Sequence, residues 1–210
     1  MRLLEEIMQA NAAFLAKGSM DYRREDRSKG KVPQRHLLVI TCMDTRLVNF
    51  LEPALGIQRG DAKIIKIAGN SVAGPFDNII RSLLIAIFKL EVREIMVVGH
   101  QECGMAGLSA EGLMADMLCR GISSEAIQMV AVELRHWAQS FRGEEQNVRD
   151  TVRKIRQNPL IPKDVPVHGL IFHPRRGNAD VLVNGYEEMR NRRDNLQGHS
   201  ERKGVEFVEI

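Results

Sequence analysis

The sequence predicts an α/β fold, in which a single domain is built on a central, mostly parallel β-sheet flanked by helices. The chain has 210 residues, of which 44% are hydrophobic. This is enough for one sizeable core, whereas two domains of half that length would each bury little apolar surface. Short runs with strand character alternate with segments of helical periodicity, and this alternation is typical of βαβ units with right-handed crossovers.

The first predicted element is a helix over residues 3–16, whose apolar face either covers the protein's own core or packs on another molecule. A solvated loop, residues 21–35, follows with six basic and three acidic residues. Basic loops can bind nucleic acid or a membrane surface. A net charge of +3 over the chain, with no aromatic residues between the basic ones, argues against both partners. The apolar face of the helix consists of Leu3, Leu4, Ile7, Met8, Ala12 and Leu15.

Three apolar runs, residues 36–41, 62–67 and 94–99, are typical of buried strands in a parallel sheet. Between the second and the third run, residues 76–90 have apolar side chains on one helical face, which predicts a crossover helix. Further helices are predicted over residues 111–120 and 124–141. The apolar residues of the last helix keep a three-four spacing: Ile127, Val130, Leu134, Trp137 and Phe141.

The carboxyl-terminal part of the chain predicts a β-hairpin, formed by residues 167–172 and 179–183 with turn-forming residues between them. The charged tail that follows ends in residues 205–210, which we interpret as a possible edge strand. The single domain therefore divides into an N-terminal helix region (1–20), a basic loop (21–35), a catalytic core (36–186) and a charged C-terminal tail (187–210).

Residues with metal-binding chemistry follow two of the predicted strands. Cys42, Asp44 and Arg46 come after the first strand, and His100 and Cys103 come after the third. The carboxyl ends of parallel strands meet at one edge of the sheet, where open α/β sheets bind ligands. Two thiolates and one imidazole suit zinc, and three protein ligands leave one tetrahedral position for water or substrate. The pattern predicts a catalytic zinc site.

Packing alone could also account for each residue taken singly, because cysteines and an occasional histidine are commonly buried in cores. The joint pattern favours the metal site, since Gly99 and Gly104 bracket the second ligand pair and a carboxylate and an arginine accompany Cys42. The remaining cysteine, Cys119, lies in a predicted helix. We expect it to be a small buried hydrophobic residue and not a ligand.

The cysteine, aspartate, arginine and histidine motifs, with the Ala68-Gly69-Asn70 turn between them, resemble those of the β-class carbonic anhydrases. Residues 54–63 and 158–162 are similar to the compact archaeal and bacterial branch of that family. The resemblance extends over residues 35–172. It implies a zinc lyase, a carbonate dehydratase with the α/β fold of the family.

The resemblance further implies that one Zn²⁺ per subunit is held by Cys42, His100 and Cys103, and that a zinc-bound hydroxide hydrates carbon dioxide reversibly to bicarbonate. Asp44 has two candidate roles. It either ligates the metal and closes the site, or it pairs with Arg46 and accepts a hydrogen bond from the hydroxide. Both arrangements are known in the family, and we expect the Asp44 and Arg46 pair to be the working state.

A substrate pocket and a partner subunit are implied in the same way. Two positions depart from the family pattern: Ile67 stands where asparagine is frequent, and Pro33 stands where plant members have a glutamine. The first helix packs on a neighbouring subunit in the family, which implies a homodimer or a homotetramer. The implied pocket residues are Ala68, Gly69, Asn70 and Gly104.

Two other functions stay open. A hydrolase of carbonyl sulfide or carbon disulfide would use the same zinc site on a linear molecule in which sulfur replaces oxygen. A noncatalytic, zinc-stabilised binding protein would keep Asp44 permanently on the metal. A dinucleotide-binding enzyme is disfavoured, because no Gly-x-Gly-x-x-Gly motif follows a strand. Thiols in metal-binding positions, with no secretory segment or long apolar stretch, predict a cytoplasmic protein.

Overall fold

The computed structural model describes residues 3–16 and 30–190, which form a single α/β domain and confirm the predicted fold class. Within these residues, five strands lie side by side in the order β2-β1-β3-β4-β5. The strands are β1 (Leu37–Cys42), β2 (Ala62–Ile67), β3 (Glu94–His100), β4 (Val167–Phe172) and β5 (Ala179–Val183).

Strands β1 to β4 run parallel, and β1 lies between β2 and β3. Cys42 at the end of β1 pairs with Ile67 at the end of β2, and Thr41 pairs with Val98 of β3. The carboxyl ends of these three strands are therefore level at one edge of the sheet. Strand β5 runs antiparallel to β4, which confirms the predicted hairpin.

Helices connect the strands, and several of them begin at a side-chain cap. Helix α3 starts after Asp77, whose Oδ1 accepts a hydrogen bond from the Ile80 N–H at 2.9 Å, and the caps of α4 and α5 are Ser109 and Ser123. In the described part of the chain, the α-helices that precede or connect the strands are α1 (Leu3–Ala16), α2 (Leu51–Ala54), α3 (Asn78–Lys89), α4 (Ala110–Cys119), α5 (Ser124–Ser140) and α6 (Glu144–Gln157).

Apolar side chains on both faces of the sheet are buried, as expected for strands that are covered on both sides. One face packs against α3 and α6, and its core includes Ile40, Val97, Leu83 and Val152. The other face packs against the segment that follows β1, and its core includes Val39, Val98, Leu47, Leu51 and Phe172. Cys42 and Cys103 belong to this second core.

Helix α6 was not predicted from the sequence. Seven of its fourteen residues are charged, and its apolar contribution to the core comes from Val148, Val152 and Ile155, which are buried at four-three spacing. These three side chains bring the amino end of α6 to the edge of the sheet where β3 ends. Two residues of functional interest, Glu144 and Asn147, lie on its first turn.

Two expectations about helical side chains were wrong. Cys119 is exposed, because it ends α4 on a side that no other described element covers. Val130 is 45% exposed on α5, although it was expected to share the buried face with Ile127. Helix α1 forms over the predicted residues, but it has no buried residue, so it does not cover the core of its own chain.

Most of the predicted basic loop and most of the charged tail, including the possible strand over residues 205–210, lie outside the described residues. In the part of the chain that the structure describes, no helix combines the length and the apolar character that crossing a membrane requires.

Candidate metal centre

The fold brings two cysteines and one histidine together at the carboxyl edge of the sheet. Cys42 is the last residue of β1, His100 is the last residue of β3, and Cys103 follows three residues later. Their candidate ligand atoms all lie within 4.8 Å of one another. The three residues are 5%, 1% and 6% exposed, respectively. This spacing suits one ion bound by all three side chains.

The imidazole of His100 is oriented for metal binding. Its Nδ1 lies 2.9 Å from the Gln101 carbonyl oxygen, so Nδ1 carries the proton and donates it. Nε2 is then the unprotonated nitrogen, and it is buried without a hydrogen-bond partner. A buried acceptor without a partner is costly, and a backbone carbonyl on the other ring nitrogen is the usual arrangement for a ligating histidine. These residues therefore fit a zinc ion.

The two sulfur atoms lie 3.9 Å apart in a buried environment. A hydrogen bond from the Cys103 thiol lowers the pKa of Cys42 against the opposing effect of burial, and the neighbouring His100 and the backbone N–H groups of Gly69 and Asp44 act in the same direction. The same hydrogen bond and burial raise the pKa of Cys103. The environment therefore favours ionisation of Cys42 before Cys103, and a bound cation would favour ionisation of both.

Asp44 pairs with Arg46 beside this cluster. Arg46 Nε donates to Asp44 Oδ1 at 3.0 Å, and Arg46 Nη2 donates to Asp44 Oδ2 at 2.8 Å, which is a bidentate contact. The guanidinium lowers the pKa of Asp44 to about 2, so the carboxylate is ionised at neutral pH. Asp44 Oδ2 lies 3.8 Å from His100 Nε2. The carboxylate thus adjoins the three candidate ligands while bound to Arg46.

The predicted pocket residues lie in 3₁₀ turns at the same edge. Residues Ala68–Asn70 follow β2, and Gly69 has φ +64° with its Cα facing Met105 and Phe141, where a Cβ would lie 3.0 Å from Met105 Cγ. Asn70 is 2% exposed, and its Nδ2 has no hydrogen-bond partner. Gly104 opens the turn after Cys103 and has open space where a Cβ would be.

The two positions that depart from the family pattern lie in different places. Ile67 ends β2 next to Cys42 and packs against the core. Pro33 precedes the start of β1, whereas Cys42 is its last residue. Within one chain, Pro33 is therefore at the opposite edge of the sheet from the candidate metal centre.

Sequence reasoning missed three residues that contact this site. Glu144 Oε1 accepts a hydrogen bond from the Cys103 N–H at 3.3 Å. Asn147 donates from Nδ2 to the Gly69 carbonyl at 2.5 Å and accepts from the Ser71 hydroxyl at 2.6 Å. Glu102 contacts Arg46. The four-three spacing of valine and isoleucine in α6 was the available signal for the first two.

Comparison with known proteins agrees with this geometry. The family model described as carbonic anhydrase matches residues 37–179. The protein YvdA of Bacillus subtilis (strain 168) is 40% identical over 187 residues, which cover 88% of this chain and 93% of that protein. The crystal structure of β-carbonic anhydrase isoform I from Trichomonas vaginalis superposes with a TM-score of 0.82 at 44% identity, covering 89% of this chain and all of that one.

More distant relatives include a carbon disulfide hydrolase from Acidithiobacillus thiooxidans, which is 29% identical over 163 residues and aligns with 72% of this chain and 79% of its own length. The region that matches the carbonic anhydrase family model contains all three candidate ligands described above. The chain therefore belongs to the β-carbonic anhydrase family, a family of zinc lyases.

Proposed function

We propose that the protein catalyses the reversible hydration of carbon dioxide to bicarbonate, with one Zn²⁺ per subunit held by Cys42, His100 and Cys103. The observation that carries this proposal is the buried cluster of three metal-binding side chains beside the Asp44 carboxylate, which is ionised and bound by Arg46. Three protein ligands leave a fourth position for solvent. The relatives named as carbonic anhydrases support the substrate.

Zinc, when bound, supplies its usual chemistry by acidifying a water so that an oxygen nucleophile is available near neutral pH. The two thiolates balance the charge of the ion, and we expect this to favour activity on the alkaline side. The Gln101 carbonyl holds the His100 ring so that Nε2 faces the centre. Burial of all three ligands keeps the donor set in a fixed arrangement.

Asp44 acts as an acceptor that orients the attacking oxygen. Its pKa of about 2 keeps it ionised, so at neutral pH it accepts a hydrogen bond and does not donate one. Arg46 fixes both carboxylate oxygens, and Oδ2 is the oxygen nearest the metal ligands, at 3.8 Å from His100 Nε2. A hydrogen bond to that oxygen would direct a lone pair of the nucleophile toward the carbon of carbon dioxide.

A homodimer or a higher homo-oligomer is part of the proposal. Helix α1 leaves its apolar residues exposed, with Leu3, Leu4 and Ile7 at 70%, 69% and 53%. A contiguous apolar face of this kind is typical of an interface, and the family resemblance assigns it to a second copy of the chain.

The free thiols of Cys42, Cys103 and Cys119 support a reducing compartment, the cytoplasm.

Carbon disulfide or carbonyl sulfide hydrolysis is the second candidate. The relatives named as carbon disulfide hydrolases support it, although at about ten percentage points lower identity than YvdA, namely 29% and 30% against 40%. The same donors and the same carboxylate would serve a linear substrate in which sulfur replaces oxygen. Release of hydrogen sulfide from carbonyl sulfide or carbon disulfide distinguishes this activity from carbon dioxide hydration.

The test is stopped-flow carbon dioxide hydration at about pH 8.5 on protein of measured zinc content, a pH at which zinc-bound water ionises. We expect fast turnover in the wild type and a decrease of about 100-fold in Asp44→Asn with zinc retained, because the nucleophile loses its orientation. Asp164→Asn, an exposed carboxylate in the loop before β4, is the matched control. Zinc-loaded protein that releases hydrogen sulfide but does not hydrate carbon dioxide would replace the proposal with the second candidate.

A further inference from the structure

Arg46 contacts Glu102 as well as Asp44, and Glu102 in turn contacts Arg175, so a chain of ionic contacts leads from Asp44 toward the surface. We infer that Glu102 and Arg175 are positioning residues that keep Arg46 on Asp44, and thereby keep the Asp44 carboxylate off the metal. The inference rests on the proposed function, because it concerns which of two roles Asp44 takes at a zinc centre.

The guanidinium of Arg46 is shared between two residues. One edge binds the Asp44 carboxylate as described above. On the other side, Nη1 donates to Glu102 Oε2 at 3.2 Å, and Nη2 donates to the Glu102 carbonyl oxygen at 2.7 Å. Because the guanidinium is planar and rigid, fixing its far side fixes the fork that faces Asp44.

The backbone of Glu102 supports this arrangement. Glu102 lies between the ligands His100 and Cys103 and has φ +56°, in the left-handed region that residues other than glycine seldom adopt. In this conformation its carbonyl oxygen and its carboxylate both accept from the same guanidinium. The sequence between the two ligands therefore carries an anchor for Arg46 in addition to the ligands themselves.

Arg175 holds the Glu102 carboxylate from the β4–β5 turn, with Nη2 donating to Oε2 at 3.1 Å. The turn is well defined, because His173 Nδ1 accepts hydrogen bonds from the N–H groups of Arg175 and Arg176, each at 3.2 Å. Gly177, at φ +79°, packs against the ring of Phe50. Arg175 is thus presented to Glu102 by a turn that is fixed at both ends.

Loss of the contacts made by Glu102 and Arg175 would favour metal ligation by Asp44 over its pairing with Arg46. If Arg46 swings away, the ionised Asp44 carboxylate is left within reach of the ion that His100 would bind, since Oδ2 is already 3.8 Å from His100 Nε2. A carboxylate oxygen is a good zinc ligand and would take the fourth position. The contacts of Glu102 and Arg175 therefore select the state in which that position is open to solvent and substrate.

Substitution of Glu102 or Arg175 should change the activity of the site and leave the free energy of unfolding nearly unchanged. Glu102 and Arg175 have side chains that are 49% and 72% exposed, and exposed ion pairs contribute little to folding. We expect Arg175→Gln to lower kcat/KM for carbon dioxide about threefold to tenfold, within the range of a lost charge-assisted contact. Arg175→Lys, which keeps the charge, should recover most of this loss. Arg176→Gln removes the same charge from the same turn without touching Glu102 and should behave as the wild type.

The decisive readout is the zinc coordination in crystals of the zinc-loaded oligomer, which does not depend on turnover. In Arg175→Gln, and more fully in Glu102→Gln, we expect the Asp44 carboxylate at bonding distance from zinc in part or all of the subunits, with the contact to Arg46 lost. Wild type and Arg176→Gln should keep Asp44 on Arg46. Wild-type coordination in both Arg175→Gln and Glu102→Gln would overturn the inference.

Failure of the proposed function gives a different result. If the wild-type zinc protein does not hydrate carbon dioxide, the proposed function fails, and the position of Asp44 in the variant crystals still tests the inference. If the wild type is active and kcat/KM is equal in Arg175→Gln and Arg176→Gln, the inference fails and the proposed function stands.

Discussion

Replacement of Gly99 by alanine should disturb both the fold and the proposed metal centre, because a Cβ at this position would overlap with Val148 Cγ2 on α6. Gly99 immediately precedes the proposed ligand His100, and Val148 lies one turn after Glu144, which accepts a hydrogen bond from the Cys103 N–H. Gly169 on the neighbouring strand faces the same valine, with a hypothetical Cβ 2.9 Å from Val148 Cγ1. Two glycines therefore allow α6 to lie close to the sheet.

The magnitude follows from the packing. Gly99 does not have a positive φ, so alanine is acceptable to its backbone and the overlap alone should cost about 2 to 3 kcal/mol. Val148 is fully buried, and truncation to alanine removes two methyl groups, which costs about 2 kcal/mol with its cavity. In the double variant the new methyl group occupies the space that Val148 vacates. The total loss should then be about 2 kcal/mol, well below the sum of the two single effects.

The measurement is urea unfolding of the zinc-saturated protein at one fixed concentration, followed by far-UV circular dichroism and by fluorescence of the single tryptophan, Trp137. Gly107→Ala is the control, because a Cβ there meets no atom within 4 Å and should cost less than about 0.5 kcal/mol. A favourable coupling free energy of about 2 kcal/mol between Gly99→Ala and Val148→Ala is expected. Additive effects, or a Gly99→Ala variant as stable as Gly107→Ala, would refute the reasoning.

Three further predictions concern zinc, pH and assembly. Cys103→Ser should lose most of its bound zinc, whereas Cys119→Ser should keep it; equal zinc content in the two variants by atomic absorption would contradict the ligand assignment. Zinc at about 1,000 times its Kd stabilises the folded protein by about 4 kcal/mol, so the Tm of Cys103→Ser should fall by about 8 to 16 °C. Burial lowers the pKa of His168 from its ordinary 6.5, although Glu94 opposes the shift. Below pH 6.5 the unfolded chain therefore binds a proton that the folded protein does not, and the free energy of unfolding should fall as the pH decreases. Measured by urea unfolding between pH 5.5 and 7.5, the free energy of unfolding should depend less steeply on pH in His168→Gln than in the wild type, and identical slopes would count against this prediction. Ile7→Lys on the exposed face of α1 should lower the sedimentation coefficient by disrupting the oligomer, whereas Gln9→Lys on the same helix should not; an unchanged distribution for both would place the interface elsewhere.

Local patterns were sufficient for much of the fold. The β4–β5 hairpin formed over the predicted residues, because two short apolar runs and the turn formers between them are adjacent in the chain. Helix α3 was predicted because Ile80 and Leu83 recur at helical spacing on one face, and both are buried. Such signals depend on neighbours in sequence, which is why they could be identified without the fold.

Helix α6 was missed for a physical reason. Its buried side includes Asn147, Asp150 and Thr151 as well as valine and isoleucine, so polar residues interrupt the apolar pattern. Asn147 is buried because the Gly69 carbonyl and the Ser71 hydroxyl satisfy its amide, and these partners are more than seventy residues away. Cys119 was misjudged for a related reason, since the sequence of a weakly amphipathic helix does not say which side another element will cover.

The chemical groups of the site follow from the sequence alone: two thiols, an imidazole, a carboxylate and a guanidinium, each placed after a strand of a parallel sheet. How these groups meet depends on the packing of the whole domain. The pairing of β1 with β3 brought Cys42 and Cys103 to 3.9 Å although sixty-one residues separate them, and Arg46 was placed between Asp44 and Glu102, with Arg175 of a distant turn behind them. These contacts depend on strand order and on the position of the β4–β5 turn, which are set by packing over the whole domain and not by any local run of residues.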